Sequence, residues 1–439
     1  MNKEILRIAL PSIAQNVTIP LLGLTDAAIT GHLGGAEYVG AVAVGGMAFN
    51  MLYWLCAFLR MSTGGLTAQA VGRGDDTLPL LQRAMRIGLG IAFVLVLLQM
   101  PLEYATLRLM ESPPEVARHA GSYFKILIWG APAVLAVYAL NGWHLGRQDA
   151  RTPMAVAIAQ NVVNISLSLF FVIFLGMKVE GVALGTLIAQ WVGLAMFAAA
   201  KDSPLRTTAF WKTLFRRKPS SITHVHHAVS SHGSHIEVTL FLRTLCMVAV
   251  MVWFTRSGSA QGEVILAANA LLMQFYMLFS YFMDAFAYAG EAIGGKYYGA
   301  KDGPNFRLLM RLLFTWGIGL AFLFTLIYGV SGKMMLSLLT DEAATRLAAQ
   351  PYLPFASIVP LCGFATFLYD GLCIGTTKVK LLLASVLAGM TAYFTIILTQ
   401  PSPDANVSLW LALLTFLVLR GIVQALAFRR GERITFSEY

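Results

Sequence analysis

The chain has 439 residues, 57% of them hydrophobic and 12% charged, with a mean hydropathy of +0.68 and a formal net charge of +10. A water-soluble fold of this length could not cover so much apolar side chain, which excludes an ordinary cytosolic or secreted globular protein. The positive charge sits between apolar runs rather than in one basic patch, so it marks membrane orientation and not a nucleic-acid partner.

Twelve apolar segments are long enough to cross a hydrocarbon core, which takes about 20 helical residues. They fall near 8–30, 38–70, 87–107, 122–145, 153–176, 181–200, 236–255, 264–294, 312–330, 351–375, 381–399 and 405–428. The fold class expected is therefore an all-α polytopic membrane protein. The first segment lacks a small-residue cleavage site in a plausible place and is expected to remain as the first helix. With the N-terminus in the cytoplasm, 22 Lys and Arg fall on the cytoplasmic side. Six face outward: Arg108, Arg118, Lys178, Arg256, Lys333 and Arg346. Four others (Arg60, Lys125, Arg243 and Arg420) lie inside segments. That bias places both termini in the cytoplasm.

The first segment ends LGLTDAAITGHL and carries Pro11, Pro20 and the acid Asp26. An intramembrane carboxyl is a functional candidate by default, most often as a proton or cation site. Lost hydration penalises a charged carboxylate against its neutral acid, which suits such a group to exchanging a proton near neutral pH. The bland alternative is a structural hydrogen bond to a neighbouring helix. In the fifth segment, Asn161, Asn164 and Ser168 recur at helical intervals of three and four and share one stripe. Such a stripe either lines a wet cavity or joins helices by hydrogen bonds.

The polar stretch Asp202–His235 divides the chain into an N-lobe (1–201), a cytoplasmic linker (202–235) and a C-lobe (236–439) of six segments each. Internal similarity supports the halves. WLCAFLRMSTGGLTAQAVGRGD (Trp54–Asp75) lines up with YFMDAFAYAGEAIGGKYYGAKD (Tyr281–Asp302) at an offset of 227, and NGWHLG (Asn141–Gly146) with DGLCIG (Asp370–Gly375) at 229. Six segments per half make these parallel repeats, a layout dominated by transporters. The linker ends in THVHHAVSSHGSH, with His224, His226, His227, His232 and His235. No cysteine and only Glu237 accompanies them, so a solvated loop is expected and no metal site. Cys56, Cys246, Cys362 and Cys373 all fall inside apolar segments without a C-x-x-C pair. The remaining acids in or beside segments are Glu237, Asp284, Glu291 and Asp370. Arg60 and Arg243 could each pair with an acid, snorkel or meet an anionic substrate. No phosphate-binding loop, nucleophile elbow or zinc-protease helix is present, so neither an ATP-driven pump nor an enzyme is indicated.

IALPSIAQNVTIPLLGLTDAAITGHLG resembles the first helix of MATE (multidrug and toxic compound extrusion) transporters, and YFMDAFAYAGEAIGGKYYGAKD and NGWHLGRQDARTP resemble the DinF branch. The resemblance implies two pseudo-symmetric six-helix lobes, alternating access, and export of amphipathic, chiefly cationic, organic compounds against H⁺ or Na⁺. It places the N-lobe cation site on Asp26, with Tyr123, Asn141, Asn164 and Thr186 as polar neighbours, and helix bending at Pro11. Glu237 stands where some relatives carry a functional seventh-helix glutamate; Asp284, Glu291 and Asp370 are weaker accessory candidates. Several relatives have a second acid where this chain has Ser168. That loss of a formal charge favours H⁺ over Na⁺, with no other cofactor. The expected setting is a bacterial cytoplasmic membrane, with the bilayer and small amphipathic solutes as partners and a monomeric state. The rivals are a lipid-linked-substrate flippase of a related two-lobed fold and, outside transport, a membrane enzyme or scaffold.

Overall fold

The computed structural model describes residues 1–33, 35–110, 113–201, 203–214, 233–399 and 404–437. Four of the five clustered histidines (His224, His226, His227 and His232) lie outside the described residues, while His235 is exposed at the start of a helix.

Among the described residues, twelve helices are long and apolar enough to cross a membrane. They are α1 (Asn2–Gly31), α2 (Glu37–Arg73), α3 (Leu78–Leu97), α4 (Pro114–Gly146), α5 (Arg151–Phe174), α6 (Val179–Ala199), α7 (His235–Ser259), α8 (Glu263–Gly299), α9 (Gly303–Leu339), α10 (Ala343–Gly375), α11 (Val379–Thr399) and α12 (Ala405–Phe428). Val330, Leu338, Phe174 and Leu398 are each at least 75% exposed on these helices. A bilayer covers such side chains; water would not.

Several helices start earlier than the apolar runs suggest. Hydropathy marks the part that lies in hydrocarbon, whereas a helix begins where a cap satisfies its first free N–H groups. Asp76 Oδ1 accepts the Leu78 N–H at 3.0 Å, so α3 starts nine residues before the expected 87 and takes in Arg83 and Arg86. It also stops at Leu97, and Gln99–Leu109 forms a separate short helix. Asp302 Oδ1 likewise accepts the Asn305 N–H at 3.1 Å and starts α9. Asp404 Oδ1 accepts from Asn406 at 2.8 Å at the start of α12.

The chain divides into two compact units. One, the N-unit, is Ala14–Ser234; the other, the C-unit, joins Met1–Ile13 to His235–Tyr439. Within the C-unit, Trp316 Nε1 donates to Asn2 Oδ1 at 3.2 Å, tying the first turn of α1 to α9.

Each unit uses the same helix pairs. In the N-unit α2 packs on α4, α3 on α4, α4 on α6 and α5 on α6; in the C-unit α8 packs on α10, α9 on α10, α10 on α12 and α11 on α12. Glycines explain the closest of these crossings. A Cβ at Gly142 would meet the carbonyl oxygen of Arg60, and one at Gly146 would lie 2.6 Å from that of Gly64. In the C-unit Gly371 abuts the Ala287 carbonyl and Gly375 that of Glu291. Arg60 and Ala287, like Gly64 and Glu291, are 227 residues apart, and the glycines are 229 apart. The repeated glycines are thus the points where backbones touch in each half, the small-residue mode of helix packing in membranes.

Candidate functional site

Asp26 lies in the last turns of α1 and is half-buried. Its Oδ1 is sealed from solvent and has no hydrogen-bond partner, and the side chain forms no ion pair among the described residues. A buried acceptor without a donor is costly.

The polar neighbours expected from the sequence lie on α4, α5 and α6. Tyr123 on α4 is 3% exposed and stands within the field of the Asp26 carboxyl, close to Thr186 on α6. Its ring has room because α2 carries Gly45 there; a Cβ at Gly45 would stand 2.5 Å from Tyr123 Cδ1. Thr186 Oγ1 accepts from Asn164 Nδ2 at 2.8 Å and donates to the Val182 carbonyl at 3.0 Å. Ser168 Oγ extends the line to Asn164 Oδ1 at 3.5 Å, a long contact. Asn164 and Ser168 are buried, and Gly185 on α6 lets that helix approach α5 at Ser168. A π-type turn over Phe170–Phe174 follows directly in α5.

The polar stripe of α5 therefore does two jobs. Asn164 and Ser168 belong to a hydrogen-bonded line that ends at Thr186 of α6, while Asn161 Nδ2 donates to the Thr18 carbonyl of α1 at 3.1 Å. Asn161 thus holds α5 to the helix that carries the acid. Asn141 on α4 has a buried Oδ1 of its own without a partner among the described residues. The sequence reading missed Tyr53: its buried hydroxyl is also without a partner, and it lies near Tyr123 and Tyr138. An aromatic in an apolar segment carries no signal of that placement.

Pro11 lies in the part of α1 that belongs to the C-unit, and α1 continues as helix through it although proline cannot donate to the Arg7 carbonyl. The four accessory acids also lie in the C-unit. Glu237 is half-buried near the start of α7, Asp284 half-buried on α8, Glu291 buried at 1% exposure on α8, and Asp370 half-buried between two arginines on α10.

Outside the membrane segments, Asp149 shapes the α4–α5 connection. It accepts N–H bonds from Arg151 and Thr152 at 3.1 Å each and holds His144 Nδ1 at 2.9 Å. Burial pushes its carboxyl up, but the hydrogen bonds from His144 and Thr152 and the His144 charge outweigh that and hold it well below the usual range.

A MatE family model matches residues 11–170 and 236–399, most of the twelve-helix region. The chain belongs to the MatE family. It is 35% identical to the DNA damage-inducible protein F of Escherichia coli (strain K12), over 98% of this chain and 93% of that protein. A probable multidrug resistance protein NorM of Acinetobacter baylyi is 26% identical over 66% of this chain and 64% of its own length. Among solved structures, the Vibrio cholerae MATE transporter VcmN in the bent form superposes with a TM-score of 0.85 at 21% identity, over 99% of this chain and 98% of that one. Membership makes the chain a MATE-type efflux transporter, a multi-pass protein of the lipid bilayer and not an enzyme.

Proposed function

We propose that the chain exports amphipathic organic compounds, chiefly cationic ones, in exchange for protons, and that Asp26 is the carboxyl that takes up and releases the coupling proton. The observation that carries this reading is the buried Oδ1 of Asp26, without a hydrogen-bond partner or a paired basic residue among the described residues and with Tyr123 within the field of its carboxyl. A single carboxyl suffices for a proton. A bound Na⁺ prefers several oxygens and more negative charge, and Ser168 supplies no formal charge.

In the proposed cycle, deprotonated Asp26 favours the state that holds substrate from the cytoplasm. Protonation from outside removes the charge, α1 rebends near Pro11, and substrate leaves. Coupling requires only that the proton interact differently with the two states. The proposed setting is the cytoplasmic membrane of a bacterium, with the protein monomeric and both termini inside, as the 22-to-6 division of Lys and Arg supports.

Ethidium movement in proteoliposomes under an imposed pH gradient, and separately a Na⁺ gradient, tests the reading. Only the pH gradient should drive wild-type transport, and Asp26→Asn should abolish it while the protein stays monodisperse. Gradient-driven transport by the folded variant would move the coupling site elsewhere, first to Glu237. Drive by Na⁺ alone would replace the proton. If neither gradient moves any of several organic cations, lipid-linked substrates become the reading to test.

A further inference from the structure

The C-unit encloses a cluster of charge for which the proton cycle has no use. Arg243 on α7 and Arg420 on α12 both donate to one oxygen, Asp370 Oδ2 on α10, Arg420 from Nη2 at 2.8 Å. The other oxygen, Oδ1, accepts from Gln424 Nε2 at 2.5 Å, and Gln424 Oε1 in turn accepts from Thr366 Oγ1 at 3.0 Å. Side-chain exposure is 7% for Arg243, 13% for Asp370 and 2% for Arg420. Arg420 lies over the Phe416 ring at 5.1 Å, in space left by Gly389 on α11, where a Cβ would stand 3.0 Å from Arg420 Cγ.

The cluster is short of negative charge and of acceptors. Two guanidiniums share one carboxylate, and the buried Nε of each finds no acceptor among the described residues. Tyr276 on α8 lies in the field of both arginines, Asp370 and Asp284, but the charges acting most strongly on Arg420 are Asp370 and then Arg243. Buried cations are costly unless fully paired. A guanidinium fork is matched in shape and charge by a second oxyanion, with two parallel N–H donors to two oxygens.

We propose that Arg243 and Arg420 form a recognition site for an organic carboxylate, which competes with Asp370 as the built-in counter-ion. Arg243, whose side chain is the less enclosed of the two, is the arginine on which the test below turns. The inference goes beyond the chiefly cationic solutes of the exporter reading, on which its role in transport rests, by giving the C-unit a separate site for solutes that carry a carboxylate.

Binding of 1-naphthoate to the purified full chain in detergent tests this, with 1-naphthylmethylammonium as the cation of similar shape. The wild type should bind the carboxylate in preference to the amine. Asp370→Asn removes the competing counter-ion and should tighten naphthoate binding by about tenfold or more, as expected for loss of one close charge. Arg243→Gln leaves Arg420 and Asp370 as a balanced pair. It should keep the fold and weaken naphthoate binding by about tenfold or more. If Asp370→Asn does not fold, the Arg243→Gln comparison decides alone. Equal naphthoate affinity in wild type and Arg243→Gln, equal affinity for the amine, or no binding to the wild type would overturn the proposal. Ethidium transport measured on the same wild-type preparation reports on the exporter reading separately, because the binding result does not depend on it.

Discussion

Placing a methyl group at the glycine crossings should destabilise the protein against the helix propensity of the substitution. In a helix interior, Gly→Ala by itself is favourable by up to about 1 kcal/mol. At Gly371, however, the new Cβ would run into the carbonyl oxygen of Ala287, and at Gly142 into that of Arg60. Both obstacles are backbone, which cannot rotate away as a side chain can, so α10 must back off from α8 and α4 from α2. Overpacking of this kind costs about 1–3 kcal/mol and sometimes more, and the upper end applies where whole helices must move. The expected net loss is about 1–2 kcal/mol for Gly371→Ala and for Gly142→Ala. Gly90 and Gly319 provide the controls: both are exposed and a Cβ at either meets nothing within 4 Å. Thermal unfolding of the purified variants in one detergent, followed by tryptophan fluorescence, should show lower midpoints for the crossing glycines and unchanged or raised midpoints for the controls. If Gly142→Ala and Gly371→Ala unfold with the controls, the repeated glycines are not the contact points that shape the two halves.

Three further outcomes are expected. Asn164→Ala removes the donor to Thr186 and should cost about 0.6–1.7 kcal/mol in the same unfolding assay, with slower proton-driven transport; an unchanged rate would detach this network from coupling. Asn269→Ala should cost about 2 kcal/mol or more, because Asn269 exchanges bonds with Asn406 at 2.7 and 3.0 Å and accepts from Trp410 Nε1 at 3.0 Å, all buried, and those partners are left unsatisfied. Asp149→Asn keeps the cap on α5 but removes the charge facing His144. Because the folded carboxyl is held below its usual range, its stabilising effect is full above about pH 4, where the unfolded side chain is ionised, and fades as the pH falls below that. The wild type should therefore unfold at a higher temperature than the variant at pH 7, with the gap closing on acidification; a constant gap would show that the charge contributes nothing.

The sequence by itself determined the membrane class, the twelve helices and the repeat, because apolar run length and the alternation of Lys and Arg are local properties that the bilayer reads directly. It also marked Asp26, since a lone acid in an apolar run stands out against everything around it. Helix starts such as Leu78 were harder to see, because caps and hydrocarbon limits are different physical boundaries. Contacts between helices were decided only by the tertiary structure. The grouping of Met1–Ile13 with the C-unit, the bond from Asn161 to the backbone of α1, and the partnerless hydroxyl of Tyr53 leave no periodic or compositional trace. Nor does the meeting of Arg243, Asp370 and Arg420, which lie 127 and 50 residues apart along the chain. A side chain's charge is written in the sequence; what compensates it is set by which helix faces it.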